Sequence, residues 1–157
     1  MIDNIDIEIL NHIQNNPKAS NASIGKMIGM APSAIFERIR KLEARDVIKG
    51  YNTELNPKVL GLGVLAFVFL KVEIGADQSN IENLLNEIPE IQEAHHIAGE
   101  DCYMIKIWAL NTDDLGRLLL DKIHPIKGIK ETRTTIVLKT VKQTSKLPLK
   151  RHKEAGG

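Results

Sequence analysis

Residues 20–51 read SNASIGKMIGMAPSAIFERIRKLEARDVIKGY, and this stretch decides the fold of the N-terminal third of the chain. It predicts two short helices, Asn21–Ile28 and Ser33–Arg45, around a tight turn. Gly29 suits the end of the first helix because glycine tolerates the positive φ that a helix C-terminus often needs. Pro32 suits the first position of the second helix, where a missing N–H costs nothing. The pattern is therefore that of a helix-turn-helix.

The second predicted helix is amphipathic. Ile35, Ile39 and Leu42 follow a spacing of four and then three, which makes one buried stripe. The opposite face carries Ser33, Glu37, Arg40, Lys41 and Ala44, flanked by Arg38. A helix held on its back by a turn, with a cationic polar face outward, fits the major groove of DNA. The alternative is an ordinary all-α unit whose charged face is only solvated.

The sequence around this pair predicts a complete three-helix winged unit over residues 1–52. A first helix is expected over Asp3–Asn15, capped by Asp3, because isoleucines recur every four residues from Ile5. Asp46–Tyr51 contains a β-branched pair and a glycine, and Asn52–Leu55 supplies a returning strand. We expect these two segments to form a β-ribbon, or wing, that lies against the phosphate backbone.

Charge is unevenly distributed along the 157 residues, although the net charge is only +1. Residues 61–121 hold 3 Lys/Arg and 11 Asp/Glu, whereas residues 122–157 hold 10 and 2. Residues 26–50 hold 6 basic and 3 acidic side chains, so the candidate reading segment is locally positive. A modest positive charge of this kind is compatible with DNA binding, especially in a dimer.

Several functional classes find no support in the sequence. One cysteine rules out an intrachain disulfide framework, and the acidic N-terminus is no signal peptide. The longest apolar run, Val64–Leu70, is too short to span a bilayer. No nucleophile–base pair, P-loop or Gly-x-Gly-x-x-Gly is found. His95 and His96 are adjacent on a predicted strand and point to opposite faces, so they and Cys102 do not predict a metal site. We expect a soluble cytoplasmic protein that has no cofactor and is not an enzyme.

A second domain is predicted over residues 64–142, after a connecting strand or linker at 53–63. Its order is β-α-β-β-α-β, the ferredoxin-like arrangement, in an α+β chain. The expected elements are Val64–Ile74, Asp77–Ile88, Ile91–Ala98, Cys102–Leu110, Asp113–Ile123 with a Thr112 cap, and Ile129–Val141. Residues 143–157 form a polar basic tail without a buried face, expected to be mobile beyond about Leu149. The tail either helps to hold DNA or only aids solubility.

The first strand of this domain is apolar on both faces at its start. Two helices cover one face of a ferredoxin-like sheet, so apolar residues on the other face, such as Phe67 and Phe69, would meet water in a monomer. The sequence therefore predicts dimerisation through the open face of the sheet.

Three stretches together resemble the Lrp/AsnC, or feast/famine, family of transcription regulators. They are residues 5–57, residues 97–108 (IAGEDCYMIKIW) and residues 127–149. The resemblance spans about residues 2–149. It implies a winged helix joined to a ferredoxin-like domain, and dimers that assemble further into tetramers or octamers. It also implies double-stranded pseudo-palindromic operators, and amino-acid effectors bound in the second domain.

The chain departs from the family pattern at three positions. Ala31 stands where a serine usually caps the DNA-reading helix, a loss of about 1 kcal/mol. Gly25 stands where alanine is usual in the second helix, and glycine costs roughly 1 kcal/mol in a helix interior. Cys102 replaces the acidic member of the Gly-x-x-Asp-Tyr motif, with Asp101 one residue earlier. The third departure bears on which effector is bound.

The resemblance also implies an effector loop between two strands of the second domain. A zwitterionic ligand needs hydrogen-bond donors for its carboxylate and an acid or carbonyl for its ammonium group. The expected site residues are Gly99, Glu100, Asp101 and Tyr103, with Thr132 and Thr134 on the last strand as neighbours. The alternative is a plain tight turn with solvated acids.

These observations favour a sequence-specific, ligand-responsive transcription regulator. Arg38, Arg40 and Lys41 are candidates for phosphate or base contacts, with Ser33 at the helix tip and Glu37 on the same face. Arg38 could instead pair with Glu37, Glu43 or an acid of the first helix. Two other functions remain open, namely an architectural protein of low sequence specificity and an enzyme of the sirohaem-decarboxylase type.

Overall fold

The computed structural model describes residues 2–150 and consists of two compact units. Among the described residues, the head unit takes in residues 2–54 and 142–150. The sheet unit spans Leu55–Val141. Within residues 2–150, no helix is long and apolar enough to cross a membrane.

The head unit contains three helices, α1 (Asn4–Asn15), α2 (Asn21–Ile28) and α3 (Pro32–Ala44). Their small apolar core is centred on Ile9, Ile24 and Ile35, one fully buried side chain from each helix. The predicted helix-turn-helix is confirmed, and α3 begins one residue earlier and ends one residue earlier than expected.

Two of the three helices in the head unit have capped N-termini. Asp3 caps α1 through a capping box with Asp6, because each side chain accepts from the other residue's backbone N–H. The Ser20 hydroxyl accepts from the N–H of Ser23 at the start of α2. Ala31 provides no side-chain cap for α3, as the sequence predicts. Gly29 ends α2 with φ 80°, the left-handed conformation expected of it.

Gly25 has a packing role that the sequence did not reveal. Its carbonyl oxygen accepts hydrogen bonds from the N–H groups of both Gly29 and Met30, each at 2.8 Å. A Cβ atom at residue 25 would lie 2.5 Å from the backbone oxygen of Met30. The turn between α2 and α3 therefore closes tightly over Gly25, which leaves no space for a side chain.

The expected wing is not present in this single chain. None of the residues between Ala44 and Val64 is in a strand, so the predicted β-ribbon over Asp46–Leu55 is wrong here. The N–H groups of Val47 and Ile48 instead donate to the carbonyl oxygen of Leu42, at 2.9 and 3.3 Å. These two N–H groups satisfy a carbonyl oxygen in the last turn of α3. Asp46 turns the chain there with φ 56°.

The sheet unit has the predicted ferredoxin-like topology. Its elements are β1 (Val64–Val72), α4 (Gln78–Asn86), β2 (Ile91–His96), β3 (Tyr103–Ala109), α5 (Thr112–Leu118) with a π-helical turn (Leu119–Ile123), and β4 (Ile129–Ile136). The strand order is β2-β3-β1-β4, and all three pairings are antiparallel. Most of the elements are shorter by one or two residues at an end than expected, and two differences are larger. Strand β4 ends five residues before Val141, and the cap of α5 is Asn111, whose side chain accepts from Asp114 N at 2.8 Å.

The two faces of the sheet differ in burial. Alternate residues of β1 and β3, including Val68, Leu70, Ile105 and Ile107, are fully buried in the core that also contains α4 and α5 residues. The opposite residues form what we call the open face: Phe67, Phe69, Met104 and Trp108, all half-buried, together with Lys106. Lys106 Nζ donates to Glu93 Oε1 at 2.9 Å, which gives this buried ammonium group a charged partner.

The C-terminal segment contacts α1 through Lys146 and Leu147. The side chain of Gln14 donates to Leu147 O at 3.2 Å and accepts from Leu147 N at 2.6 Å. Lys146 Nζ donates to Asn15 Oδ1 at 3.0 Å. These contacts lie before Leu149, beyond which the tail is predicted to be mobile, and none of residues 142–150 is buried. Residues 151–157, the rest of the predicted mobile tail, lie outside the described residues.

We predict that Gly25→Ala destabilises the head unit, because the clash with Met30 O outweighs the gain in helix propensity of roughly 1 kcal/mol. Gly116→Ala is the matched control, since it lies in a helix and a Cβ there would meet nothing within 4 Å. Urea unfolding followed by far-ultraviolet circular dichroism should give a lower midpoint for the first variant and an equal or higher midpoint for the second. Equal midpoints for the two variants would contradict the packing role.

Candidate nucleic-acid interface and effector loop

The rotation of α3 in the head unit is set by its apolar stripe. Ile35 and Leu42 are buried, and Ile39 packs partly against the core. Since these residues hold one side of the helix inward, the other side is outward. Ser33, Glu37, Arg40 and Lys41 are all exposed there, as the sequence predicts. The outward face presents two cations, one carboxylate and one hydroxyl.

Arg38 is placed differently from the other four candidates. Its Nη1 atom donates to Asp3 Oδ2 at 2.8 Å and to Asp6 Oδ1 at 2.7 Å. The alternative in which Arg38 pairs with an acid of the first helix is therefore the one found. Arg38 ties the N-terminal capping box of α1 to the middle of α3, and it is not part of the outward face.

The electrostatics of this cluster favour the charged forms of Asp3 and Arg38. The backbone N–H of Asp6 and the guanidinium of Arg38 hold the pKa of the Asp3 carboxyl below its usual value. The hydrogen bonds to Asp3 and Asp6 raise the pKa of Arg38 above its already high value. The Asp6 side chain is only 10% exposed, so its carboxylate depends on Arg38 for a charged partner.

A second contact links the segment after α3 back to that helix. The hydroxyl of Tyr51 donates to Glu43 Oε1 at 2.9 Å. Burial, and then this hydrogen bond to a carboxylate, raise the pKa of Tyr51 to about 12. The residues expected to form a wing are thus anchored to the last turn of α3 by a neutral phenol.

The candidate effector loop joins β2 to β3 in the sheet unit. Asp101 is only 16% exposed and accepts from Arg133 Nη2 at 2.7 Å. The Arg133 guanidinium also lies over the ring of Phe69, 4.3 Å from its centroid. Gly99 and Glu100 are exposed in the same loop. The loop therefore places a carboxylate and a guanidinium side by side at the edge of the open face.

Tyr103 does not join this pair. Its ring is 2% exposed, stacks on His96 with centroids 4.8 Å apart, and its hydroxyl donates to Glu82 Oε1 at 2.9 Å. Burial, with the hydrogen bond to Glu82, raises the pKa of Tyr103 to about 12. Tyr103 is opposite Leu70 in the β1–β3 register, so it belongs to the buried side of the sheet.

The two threonines lie on β4 with Arg133 between them. Thr132 and Thr134 are opposite Leu70 and Val68, whereas Arg133 is opposite Phe69. Thr132 Oγ1 is 3.1 Å from His124 Nε2. The six predicted effector residues therefore do not form one cluster. Asp101 pairs with Arg133 at the open face, and Gly99 and Glu100 are exposed in the loop. Tyr103, Thr132 and Thr134 lie on the other side of the sheet.

Sequence reasoning missed Arg133, the cation closest to the loop. The signal was present, because Arg133 alternates with the two threonines chosen as neighbours of the loop. Its side chain therefore lies on the opposite side of β4 from the two threonines. On that side the loop between β2 and β3 places Asp101. The partner was hidden because strand register is needed to bring residue 133 to residue 101.

The adjacent histidines of β2 have different neighbours. His96 stacks on Tyr103, while His95 Nε2 is 3.4 Å from Glu93 Oε2. Cys102 is half-buried and packs against the sheet core, as expected of a structural thiol. Among residues 2–150, no group of three or more His, Cys, Asp or Glu side chains is arranged to hold a metal ion.

The geometry of both units agrees with family models. Residues 2–49 match a winged helix-turn-helix DNA-binding domain, and residues 65–147 match the Lrp/AsnC ligand binding domain. The chain belongs to the Lrp/AsnC family of transcription regulators. It is therefore a DNA-binding regulator and not an enzyme, which removes the sirohaem-decarboxylase alternative.

Individual members of the Lrp/AsnC family match along nearly the whole chain. The HTH-type transcriptional regulator FL11 of Pyrococcus horikoshii is 40% identical over 95% of this chain and 97% of its own length. The leucine-responsive regulatory protein of Escherichia coli is 32% identical over 95% and 92%. The feast or famine regulatory protein of M. tuberculosis, solved with L-methionine, superposes with a TM-score of 0.87 at 25% identity, over 94% and 99%.

For this Lrp/AsnC member we predict that Arg38→Met lowers the free energy of unfolding of the head unit by about 1–3 kcal/mol, because Asp6 loses its partner. Arg40→Met, an exposed site on the same helix, is the control and should change stability by less than about 0.5 kcal/mol. Equal effects of the two substitutions in urea unfolding at pH 7 would refute the tie between α1 and α3.

The same cluster predicts a dependence on pH. Since the pKa of Asp3 is lower in the folded than in the unfolded chain, its contribution is fully present above the unfolded value of about 3.9 and is lost as pH falls through the folded value. The wild type should therefore lose stability as the pH falls below about 5, where the carboxyl of the unfolded chain begins to bind protons. Arg38→Met should lose less as the pH falls, because the hydrogen bond and charge of Arg38 no longer lower the Asp3 pKa and only the backbone N–H groups of Asp6 and Ile5 still do.

Proposed function

We propose that the outward face of α3 reads the operator, with Ser33, Glu37, Arg40 and Lys41 as the contact residues. The observation that carries this proposal is the burial of Ile35 and Leu42, which leaves those four side chains exposed together. Arg38 supports the reading helix by holding it to α1 and contributes no direct DNA contact.

Each contact residue has a role that follows from its chemistry. Arg40 can donate two hydrogen bonds to guanine O6 and N7, and Lys41 acts as a point charge toward phosphate. Ser33 lies at the tip of α3, where Ala31 leaves backbone N–H groups without a side-chain acceptor. A phosphate oxygen can fill that position, because helix N-termini attract anions. Glu37 accepts from cytosine N4.

The proposal includes a homodimer formed through the open face, with further assembly into tetramers or octamers. Phe67, Phe69, Met104 and Trp108 are a contiguous, half-buried apolar surface on the side of the sheet that α4 and α5 do not cover. Burying such a surface against a second copy is favourable. Two reading helices related by a two-fold axis then call for a pseudo-palindromic operator in double-stranded DNA.

The effector in this proposal is an amino acid that engages Asp101 and Arg133. The two side chains satisfy one another at 2.7 Å. A zwitterion carries the same two charges, so its ammonium group can take Asp101 while its carboxylate takes the guanidinium of Arg133. Gly99 allows the ligand to approach the loop closely because a Cβ there would meet nothing within 4 Å. Tyr103, Thr132 and Thr134 support the loop from the other side.

Relatives indicate which amino acids to test first. One relative is named for leucine, and another was solved with L-methionine. Leucine and methionine both have a zwitterionic amino-acid group and an apolar side chain. The zwitterion suits the Asp101–Arg133 pair, and the apolar side chain suits the neighbouring ring of Phe69. We place this regulator in the cytoplasm, where it has access to both DNA and amino-acid pools.

We predict that Arg40→Ala weakens operator binding by about 1–3 kcal/mol if it reads guanine, or reduces the salt slope by about 1 if it contacts phosphate. Arg117→Ala, which removes a 72% exposed arginine from the sheet unit, is the charge-matched control. Fluorescence anisotropy at several salt concentrations measures both quantities. Unchanged affinity of Arg40→Ala at physiological salt would show that the reading face is wrongly assigned.

Competition of an operator fragment with bulk DNA tests the alternative of an architectural protein. That alternative requires equal affinity for the operator fragment and for bulk DNA.

We predict that the protein sediments as a dimer or a multiple of it at low micromolar concentration. Trp108→Glu should shift it to the mass of one chain, because the carboxylate would be buried in the apolar interface. Leu120→Glu is the control, since Leu120 is a 63% exposed apolar residue of the π-helical turn, away from the open face. A wild-type monomer in sedimentation velocity would remove the dimer from the proposal.

We predict that isothermal titration with the twenty amino acids, leucine and methionine first, gives binding that Asp101→Asn weakens about tenfold or more, the loss of one charged hydrogen bond. Glu131→Gln is the control because it also removes one negative charge and lies on β4 near Arg133. No heat with any amino acid would exclude this class of effector. Equal weakening by both variants would point to net charge instead of the Asp101 contact.

A further inference from the structure

One side chain of α3 fits neither its buried stripe nor its polar face. Phe36 is 48% exposed, although the helix has an apolar core on its other side. Helical spacing puts Phe36 one turn after Ser33 and one turn before Arg40, both of which are exposed. A large aromatic ring is therefore exposed at the border of the outward face of α3, beside Ser33 and Arg40.

The packing of the head unit does not account for this ring. The core consists of Ile9, Ile24 and Ile35, and its partly buried neighbours are Ile5, Ile13, Ala19, Ile28, Met30 and Ile39. Phe36 is not among them. Within residues 2–150, it has no stacked ring and no cation over its face, since those contacts involve His96 with Tyr103 and Arg133 with Phe69.

Helix formation does not account for it either. Phenylalanine has a lower helix propensity than alanine, leucine, lysine or glutamate, all of which suit an exposed position better. An aromatic ring that remains half in water forgoes the free energy that its burial would give. The ring is therefore available to contact something that comes to this face of α3.

Among the groups that face the major groove, the C5-methyl of thymine is the apolar one. The other groups at base edges are hydrogen-bond donors and acceptors, which suit Ser33, Glu37 and Arg40. Phenylalanine is one of the side chains that make apolar contact with this methyl group. The ring would lie one helical turn from the arginine proposed to grip guanine, so the two would read neighbouring base pairs.

We propose that Phe36 is a specificity-determining residue that contacts the methyl group of thymine in the major groove. This inference rests on the proposed reading of DNA by the outward face of α3. It adds a base identity to that function, namely a thymine beside the base pair or phosphate that Arg40 contacts. Specificity at this position comes from apolar contact and desolvation, without a hydrogen bond.

The test removes the methyl group from the DNA and the ring from the protein, separately and together. A preferred site is first selected from random duplexes with the wild-type protein. Each thymine of the site is then replaced by uracil, which keeps base pairing and lacks only the methyl group. Affinities for the series are measured with wild type and with Phe36→Ala. Met27→Ala is the matched control, because Met27 is 57% exposed on α2.

The expected result is a coupled loss at one thymine in each half-site. Wild type and Met27→Ala should bind the uracil duplex about three- to fivefold more weakly, the scale of one buried methyl group. Phe36→Ala should bind thymine and uracil duplexes equally at that position. Phe36→Leu, which keeps an apolar side chain there, should retain part of the preference. Unfolding midpoints of the variants confirm that the head unit remains folded.

Three results would overturn the inference. The first is a wild-type protein that is indifferent to uracil at every position, which needs no variant at all. The second is equal sensitivity of wild type and Phe36→Ala, which would mean that another group contacts the methyl. The third is a Phe36→Ala protein with unchanged DNA affinity but a smaller sedimenting mass, which would assign the ring to a contact between copies.

Failure of this inference can be distinguished from failure of the proposed function. If Arg40→Ala weakens binding while uracil substitution has no effect, α3 reads DNA and only the role of Phe36 is wrong. If no duplex is selected over bulk DNA, or Arg40→Ala binds like wild type, the reading face itself is wrong and the role of Phe36 falls with it.

Discussion

The burial of Ile35 against Ile9 and Ile24 is the constraint on which the head unit depends. Three short helices have few side chains with which to form a core, so one fully buried isoleucine from each decides how they meet. Because Ile35 and Leu42 both point inward, the rotation of α3 about its own axis is fixed. Everything proposed for the outward face, from Ser33 to Lys41, follows from that rotation.

Polar contacts then hold the ends of the same helices. The capping box of α1 and Arg38 share one cluster, so the start of the first helix is coupled to the middle of the third. The close approach at Gly25 holds the turn before α3. The C-terminus of α3 is satisfied by Val47 and Ile48, and Glu43 accepts from Tyr51. These interactions hold α3 to the rest of the head unit without using the residues proposed to contact DNA.

In the sheet unit, core packing and the proposed dimer contact use opposite faces of the sheet. Alternation along β1 and β3 sends Val68, Leu70, Ile105 and Ile107 to the core and leaves Phe67 and Phe69 on the open face. The Asp101–Arg133 pair lies at the edge of that open face, with the guanidinium over Phe69. A ligand that alters this pair would act beside the surface proposed for dimerisation. An effector signal and a change in assembly would therefore involve the same residues.

Local patterns in the sequence determined most of the secondary structure and the topology. The isoleucine periodicity of α1, the Gly29–Pro32 turn and the stripe of α3 act over three or four residues, so they survive without tertiary information. The order β-α-β-β-α-β was likewise readable from alternation and helical spacing. The outward set on α3 followed from the same periodicity, except for Phe36, an apolar residue whose exposure the pattern does not indicate.

Tertiary structure alone decided the features that depend on partners distant in sequence. Arg38 meets Asp3 and Asp6, Arg133 meets Asp101, and Leu147 meets Gln14 across separations that no local pattern encodes. The expected wing failed for the same reason, because the hydrogen bonds of Val47 and Ile48 go to Leu42 and not to a neighbouring strand. Periodicity states which face of an element is buried. Only packing and strand register state which charged groups come within hydrogen-bonding distance of each other.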